Sequence, residues 1–157
     1  MPHRKIYVKD TESCTGCRIC EIVCSLKYAK SGVNPRMARI RIEYFPEKGF
    51  IMPNVCRLCT KPACISACPE KALLKDSETG VIRVNEEMCD GCGKCIKACK
   101  FKSITLHPLK NIALVCDLCG GDPQCVKYCM NGTLLFLTAP EYKREKGKKR
   151  EVSQGTQ

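Results

Sequence analysis

Tryptophan is absent from these 157 residues, and five tyrosines and four phenylalanines are the only aromatics. Aromatic side chains supply much of the area that a core buries, so an ordinary apolar interior is under-supplied here. Histidine is almost missing as well. His3 and His107 are the only two, and neither stands in register with other metal-ligating residues. That disfavours zinc sites of mixed cysteine and histidine ligands. No apolar run nears the roughly 20 residues of a membrane-spanning helix; residues 134–137 are far too few, so no membrane span is expected. Residues 1–5 lead straight into the strand-like residues 6–8 without the longer apolar stretch of an export signal, so no export signal and a cytoplasmic location are expected. No nucleophile–base pair, phosphate-binding loop or substrate pocket is recognisable, and no catalytic residue is expected.

Cysteine, by contrast, occurs sixteen times, in four groups of four with none left over. The first motif is Cys14-x2-Cys17-x2-Cys20-x3-Cys24, and the third repeats its spacing as Cys89, Cys92, Cys95 and Cys99. The second is Cys56-x2-Cys59-x4-Cys64-x3-Cys68-Pro69, and the fourth is Cys116-x2-Cys119-x5-Cys125-x3-Cys129. C-x2-C-x2-C-x3-C is a ligand run for cubane [4Fe–4S] clusters. Closely spaced cysteines on a tight loop wrap one corner of a cubane, and the loop's N–H groups point inward at sulfur. Gly16, Gly91 and Gly93 stand between ligands, where a side chain crowds the cluster and positive φ is needed. Four thiolates for each of four clusters account for every cysteine. Disulfides fit poorly, since cysteines two apart are bad bridge partners and no export signal is seen. Structural zinc usually joins two C-x2-C knuckles across a longer gap. The C-x3-C-x2-C run of a radical SAM enzyme does not occur.

The formal charge of +11 counts the thiols as neutral. Each [4Fe–4S]²⁺ core with four thiolates carries about −2, so the loaded chain sits near roughly +3. Residues 143–151 hold six basic and two acidic side chains, which leaves the cluster-bearing body close to neutral. The basicity therefore offsets cluster charge, and no nucleic-acid partner is expected. From Glu141 onward the chain is polar and basic, and residues 141–157 are expected to be a solvated tail or a docking segment.

The motifs alternate in kind. The first and third share C-x-G-C. The second and fourth share C-x-L-C, with Pro62 and Pro123 two residues before the third cysteine. This A-B-A-B order suggests a duplicated unit. Strand-like runs lie between the motifs: residues 6–8, a hairpin over 38–52, a second over 72–84, a third over 104–115, and a last strand at 133–137. Short helices are expected after each third cysteine, at 21–27, 65–67, 96–98 and 126–128. Alternating hairpins and short helices give an α+β architecture of ferredoxin type.

The order and spacing of the four motifs resemble those of the four-cluster ferredoxin-type electron-transfer subunits of molybdenum and tungsten oxidoreductases. That family includes the B subunits of dimethyl sulfoxide reductase-like and formate dehydrogenase-like enzymes. It also includes the small iron–sulfur subunits of tungsten aldehyde oxidoreductase and the tungsten benzoyl-CoA reductase complex. The resemblance covers about residues 6–137. It implies a double bacterial-ferredoxin-like fold in residues 1–140, with an inner unit of about 53–106 inserted in an outer unit of 5–52 plus 107–138. It implies a non-catalytic subunit that relays electrons between a tungsten- or molybdenum-pterin catalytic subunit and an external carrier, a ferredoxin or a further redox subunit. The short fourth motif and the lack of proline after Cys24, Cys99 and Cys129 point to the compact branch of small subunits. A free-standing polyferredoxin or a hydrogenase subunit is the alternative within the class. A zinc-stabilised interaction module is the alternative outside it.

Gap lengths bear on ligand pairing, because the fourth cysteines of a two-cluster ferredoxin serve each other's clusters. Only the twenty residues 69–88 separate the second and third motifs, which suits one compact unit. The nested scheme, which matches the family's arrangement, gives one cluster Cys56, Cys59, Cys64 and Cys99 and its neighbour Cys89, Cys92, Cys95 and Cys68. The outer clusters then take Cys14, Cys17, Cys20 with Cys129, and Cys116, Cys119, Cys125 with Cys24. The rival pairs the motifs in sequence, first with second and third with fourth, across a wider gap at residues 25–55.

Overall fold

In the computed structural model, which describes residues 3–10, 12–29 and 32–154, the two ends of the cysteine-bearing region meet. Strand β1 (Lys5–Val8) pairs antiparallel with β8 (Leu134–Leu137), Lys5 opposite Leu137 and Val8 opposite Leu134. The other strands lie between these two in sequence. They form three local hairpins: β2–β3 (Ile40–Phe45, Phe50–Val55), β4–β5 (Leu73–Lys75, Ile82–Val84) and β6–β7 (Thr105–Leu106, Ala113–Leu114). The β2–β3 turn closes through Pro46–Lys48 and Gly49 at φ 65, with Phe45 and Phe50 stacked 4.8 Å apart. Helices alternate with the hairpins, so the fold is α+β with small sheets.

The four helices of the cysteine motifs begin earlier than expected. They are α1 (Ile19–Tyr28), α2 (Ala63–Ser66), α3 (Lys94–Ala98) and α4 (Gln124–Lys127). In each, the third cysteine of the motif is the second helical residue. Local chemistry sets the start. Pro62 and Pro123 take the N-cap position of α2 and α4, where a missing N–H costs nothing. Arg18 (φ 60) and Gly93 (φ 71) turn the chain through the left-handed region ahead of α1 and α3. The unpaired N–H groups of a first helical turn thereby fall beside a thiol.

Three motifs then leave their fourth cysteine by one device. The N–H of Lys71, Lys102 and Gly132 donates to the carbonyl of Cys68, Cys99 and Cys129, at 3.3, 3.0 and 3.0 Å. Each of those three residues has positive φ. A small buried residue follows (Ala72, Ser103, Thr133), and then a buried aliphatic one (Leu73, Ile104, Leu134). The first motif departs: α1 runs on through Cys24 to Tyr28. It is anchored by Glu21, 3% exposed, whose carboxylate accepts the Ile42 N–H at 2.7 Å and faces Arg18 at 3.5 Å.

The core mixes aliphatic side chains with thiols. Ile6, Ile40, Val55, Leu73 and Ile104 are buried together with Cys20, Cys24, Cys56, Cys64, Cys95, Cys116 and Cys125.

The C-terminal segment, expected from composition as a solvated tail or a docking segment, is helical over Ala139–Gln154 (α5). A capping box starts it: Glu141 accepts the N–H and hydroxyl of Thr138 at 2.8 and 2.9 Å, and the Glu141 N–H returns to Thr138 Oγ1 at 3.5 Å. Tyr142 pins the first turn to β1. Its ring stacks on Tyr7 at 4.0 Å and its hydroxyl donates to the Val8 carbonyl at 3.0 Å. Residues 155–157 of the expected tail, and the side chains of residues 147–154, lie outside the described residues.

Gly91 is required on two counts: its φ is +71, and a Cβ there would overlap the Asn111 carbonyl oxygen. Gly49 (φ +65) has nothing within 4 Å of that position. Gly49→Ala is therefore expected to cost about 1 kcal/mol and roughly 2–4 °C of thermal stability. Gly91→Ala should cost several times more or prevent assembly, read as the temperature at which visible absorbance is lost. Equal losses in the two variants would contradict this placement.

Candidate metal centre

The first two cysteines of every motif are joined through one left-handed residue at the same place. It is Gly16 (φ 69) and Gly91 (φ 71) in the first and third motifs, and Leu58 (φ 46) and Leu118 (φ 57) in the second and fourth. A leucine in this region carries strain of about 1 kcal/mol or more. Burial holds it there, since Leu58 and Leu118 both sit in the core. The shared turn presents backbone donors to sulfur: the N–H of Leu58 and of Leu118 bonds to the thiol of Cys56 and of Cys116. Glu21, Ile65 and Ile96 do the same for Cys20, Cys64 and Cys95 from the first helical turns. Two further donors come from outside the loops, Arg39 N–H to Cys24 Sγ at 3.2 Å and Ala113 N–H to Cys89 Sγ at 3.5 Å.

Thiols of different motifs are gathered together. Burial pushes the Cys20 thiol up to about 12, with Cys17 and Cys129 adding charge repulsion. Cys56 and Cys95 rise to about 11, again chiefly through burial. Cys64, Cys59 and Cys99 are the thiol neighbours of Cys56, and Cys89 and Cys68 are those of Cys95. Cys116 and Cys125 are raised most strongly, by burial first; Cys125 also feels Cys116, Cys24, Cys119 and Cys20. Cys24 is raised by burial and by Cys119, against the opposing Arg39 N–H. Cys14 shares a recess with Cys17, Cys20 and Cys129. Cys17 and Cys92 are exposed, each as the second cysteine of its loop. Asn131 fastens the exit of the fourth motif to the first, donating to the Ser13 carbonyl at 3.1 Å and to Thr15 Oγ1 at 3.2 Å.

Such thiols are neutral in a metal-free interior. Making thiolates of them requires positive charge beside them. Among the described residues no three His, Cys, Asp or Glu converge on the point that a single ion needs. The donor set is sulfur throughout, and backbone N–H groups surround it.

Two arginines complete the surroundings: Arg39 lies outside the motifs, and Arg57 fills a variable position of the second. Arg39 forms a 2.6 Å ion pair with Asp117, lies 3.7 Å above the Tyr28 ring, and leaves Tyr28 to donate its hydroxyl hydrogen to the other Asp117 oxygen. The Tyr28 oxygen is 3.8 Å from Cys119 Sγ. Burial works to raise the Asp117 carboxyl, but the Tyr28 and Arg39 contacts outweigh it and hold the group low. Arg57, next to Cys56, places its guanidinium 5.6 Å from the Phe101 ring centroid, and Phe101 lies two residues beyond Cys99. The Nε atoms of Arg39 and Arg57 are buried without a partner; Thr105 Oγ1 is the other such side-chain atom among the described residues. Unpartnered buried donors on the residue after Cys56 and on the residue whose backbone N–H meets Cys24 fit a sulfur-rich group nearby.

Comparison with known proteins agrees. The family model for the 4Fe-4S dicluster domain matches residues 47–139. A polyferredoxin-like subunit of aliphatic sulfonate oxidoreductase from Pyrococcus furiosus is 43% identical over 119 residues, covering 75% of this chain and 67% of that one. A tetrathionate reductase subunit from Archaeoglobus fulgidus is 35% identical over 118 residues, covering 74% and 55%. The chain thus spans little more than half to two thirds of the length of these curated relatives. A chain of the active site complex BamBC of benzoyl coenzyme A reductase in complex with 1,5 dienoyl-CoA superposes with a TM-score of 0.51 at 27% identity, covering 87% of this chain and 76% of that one. The chain carries [4Fe–4S] clusters, and its sixteen cysteines match four of them. It belongs to the 4Fe-4S dicluster domain family.

Proposed function

We propose that this protein is the electron-transfer subunit of an oxidoreductase complex, relaying electrons through four clusters to or from a tungsten- or molybdenum-pterin catalytic subunit. The observation that carries this is the succession of thiol neighbours. Cys20 adjoins Cys125, and Cys116 adjoins Cys56, so thiols of the first, fourth and second motifs follow one another through the interior. Cys95 of the third motif neighbours Cys68 of the second, which extends the line. Exposed Cys17 and Cys92 stand in the two motifs at its ends. Bound clusters supply one-electron 2+/1+ couples. The protein supplies spacing, exclusion of water and donors to sulfur.

The nested ligand sets are part of this reading. Cys129 belongs with Cys14, Cys17 and Cys20, and Cys24 with Cys116, Cys119 and Cys125. Cys99 belongs with Cys56, Cys59 and Cys64, and Cys68 with Cys89, Cys92 and Cys95. The fold is then a double ferredoxin: an inner unit of about 53–106 within an outer one of 5–52 and 107–138. The closing of β1 on β8 supports that enclosure. An oxidoreductase partner is supported by the relatives, which are named as subunits of oxidoreductases; the pterin metal rests on the motif resemblance. No helix is long and apolar enough to cross a membrane among the described residues, and we place the work in the cytoplasm of an anaerobic cell.

Affinity purification of the native protein tests the partner. It should bring down a large pterin subunit with stoichiometric tungsten or molybdenum, and a chain lacking residues 143–157 should do the same, because Tyr142 still pins the start of α5. A lone brown protein would favour a free polyferredoxin. Loss of the partner from the truncated chain at moderate salt would make the basic segment the anchor.

Cys24→Ser separates the pairing schemes. It should perturb the cluster held by Cys116, Cys119 and Cys125, seen as one altered spectrum among four in electron paramagnetic resonance. Perturbation of the cluster held by Cys56, Cys59 and Cys64 would establish sequential pairing instead.

A further inference from the structure

We infer that Arg39 and Arg57 set the reduction potentials of the two middle clusters of the line, each donating its buried Nε–H to a sulfur of the cluster it adjoins. The inference rests on the nested ligand sets proposed above. Under them, the two middle clusters are those held through the C-x-L-C motifs, and each has one arginine–aromatic pair laid across its two contributing segments. Arg57 follows Cys56, and its ring partner Phe101 follows Cys99, the cysteine contributed from the third motif. Arg39 gives its backbone N–H to Cys24, the cysteine contributed from the first motif, and its guanidinium to Asp117, which lies between Cys116 and Cys119. Its ring partner Tyr28 lies four residues past Cys24, in the same helix. In both pairs the guanidinium lies over a ring, Arg39 also giving a terminal nitrogen to Asp117, while Nε is buried and unpartnered. A buried guanidinium N–H without an acceptor is rare unless an acceptor has its place there. A sulfide or thiolate of the cluster is the acceptor that the surroundings offer.

The consequence follows from charge. With its four thiolates a cluster goes from about −2 to about −3 when it takes up one electron. A fixed donor therefore binds the reduced form more tightly and raises the potential. The two arginines act unequally. Among the described residues no carboxylate lies within ion-pair distance of Arg57, whereas Asp117 neutralises most of the Arg39 charge. The cluster beside Arg57 should therefore have the higher potential of the middle pair. Among the described residues no further guanidinium Nε is buried and unpartnered, and Arg18, near Cys20, is ion-paired with Glu21, so the clusters at the two ends should lie lower.

Redox titration of the full-length, cluster-loaded chain, followed by electron paramagnetic resonance, tests this. Arg57→Gln should favour oxidation of one cluster about tenfold, a fall of ~59 mV for a one-electron couple, and leave three midpoints in place. Arg39→Gln combined with Asp117→Asn should lower a different midpoint by less. Arg57→Lys keeps the charge but lacks the Nε–H, and should give a smaller fall in the same midpoint as Arg57→Gln. It carries the test should the glutamine variant lose iron. Four unchanged midpoints in fully loaded Arg57→Gln, or in Arg57→Lys if the former does not load, would overturn the assignment. So would a shift of one shared midpoint by the Arg57 and Arg39 variants. Wild-type protein with fewer than four clusters would instead overturn the ligand sets on which the inference rests.

Discussion

Everything in this fold depends on charge balance between buried sulfur and bound iron. Seven of the cysteines sit in the same core as the buried aliphatic residues. Burial holds such thiols neutral, with pKa values pushed to about 11, about 12 or beyond. A chain with few aromatics and no tryptophan then has little else with which to fill its interior. Iron replaces the thiol protons, and the cluster occupies the volume that large side chains fill elsewhere. Metal binding and folding are one process in such a chain.

The secondary structure serves that balance more than it serves itself. Helices of four or five residues cannot stand alone. They persist because their first turns put N–H groups against the third cysteine. The hairpins likewise bury two or three aliphatic residues each and lead the chain from one cysteine group to the next. Left-handed turns at Gly16, Leu58, Gly91 and Leu118 give all four loops the same opening geometry from two different residue types. Where glycine has no strain to resist, leucine has its burial to hold it. The glycine loops belong to the first and third motifs, and the leucine loops to the second and fourth.

Much of this is legible in the amino-acid sequence, for definite reasons. Cysteine spacing is local, so the four loops and the hairpins between them can be read from residues near in sequence. The helix starts are less so, because Pro62 and Pro123 act as N-caps and Arg18 adopts a conformation usually left to glycine. The helix at Ala139–Gln154 is encoded in Thr138 and Glu141, but the basic residues that follow dominate any reading by composition. Arg39, Asp117 and Tyr28 are not legible. They stand up to 89 residues apart, and although Asp117 lies within the fourth motif its spacing does not mark it, so only the packing of α1 beside that motif brings them together. Arg57 within the second motif and Phe101 beyond the third are likewise brought together only by packing.

The claim that iron fills the interior is tested most directly by iron and acid-labile sulfide counts on anaerobically purified protein, taken alongside circular dichroism before and after chelation. The account predicts about sixteen irons and about sixteen sulfides per chain, and collapse of the helical and strand signal when they are removed. About half that content, zinc in its place, or a stripped chain that keeps its structure would contradict it.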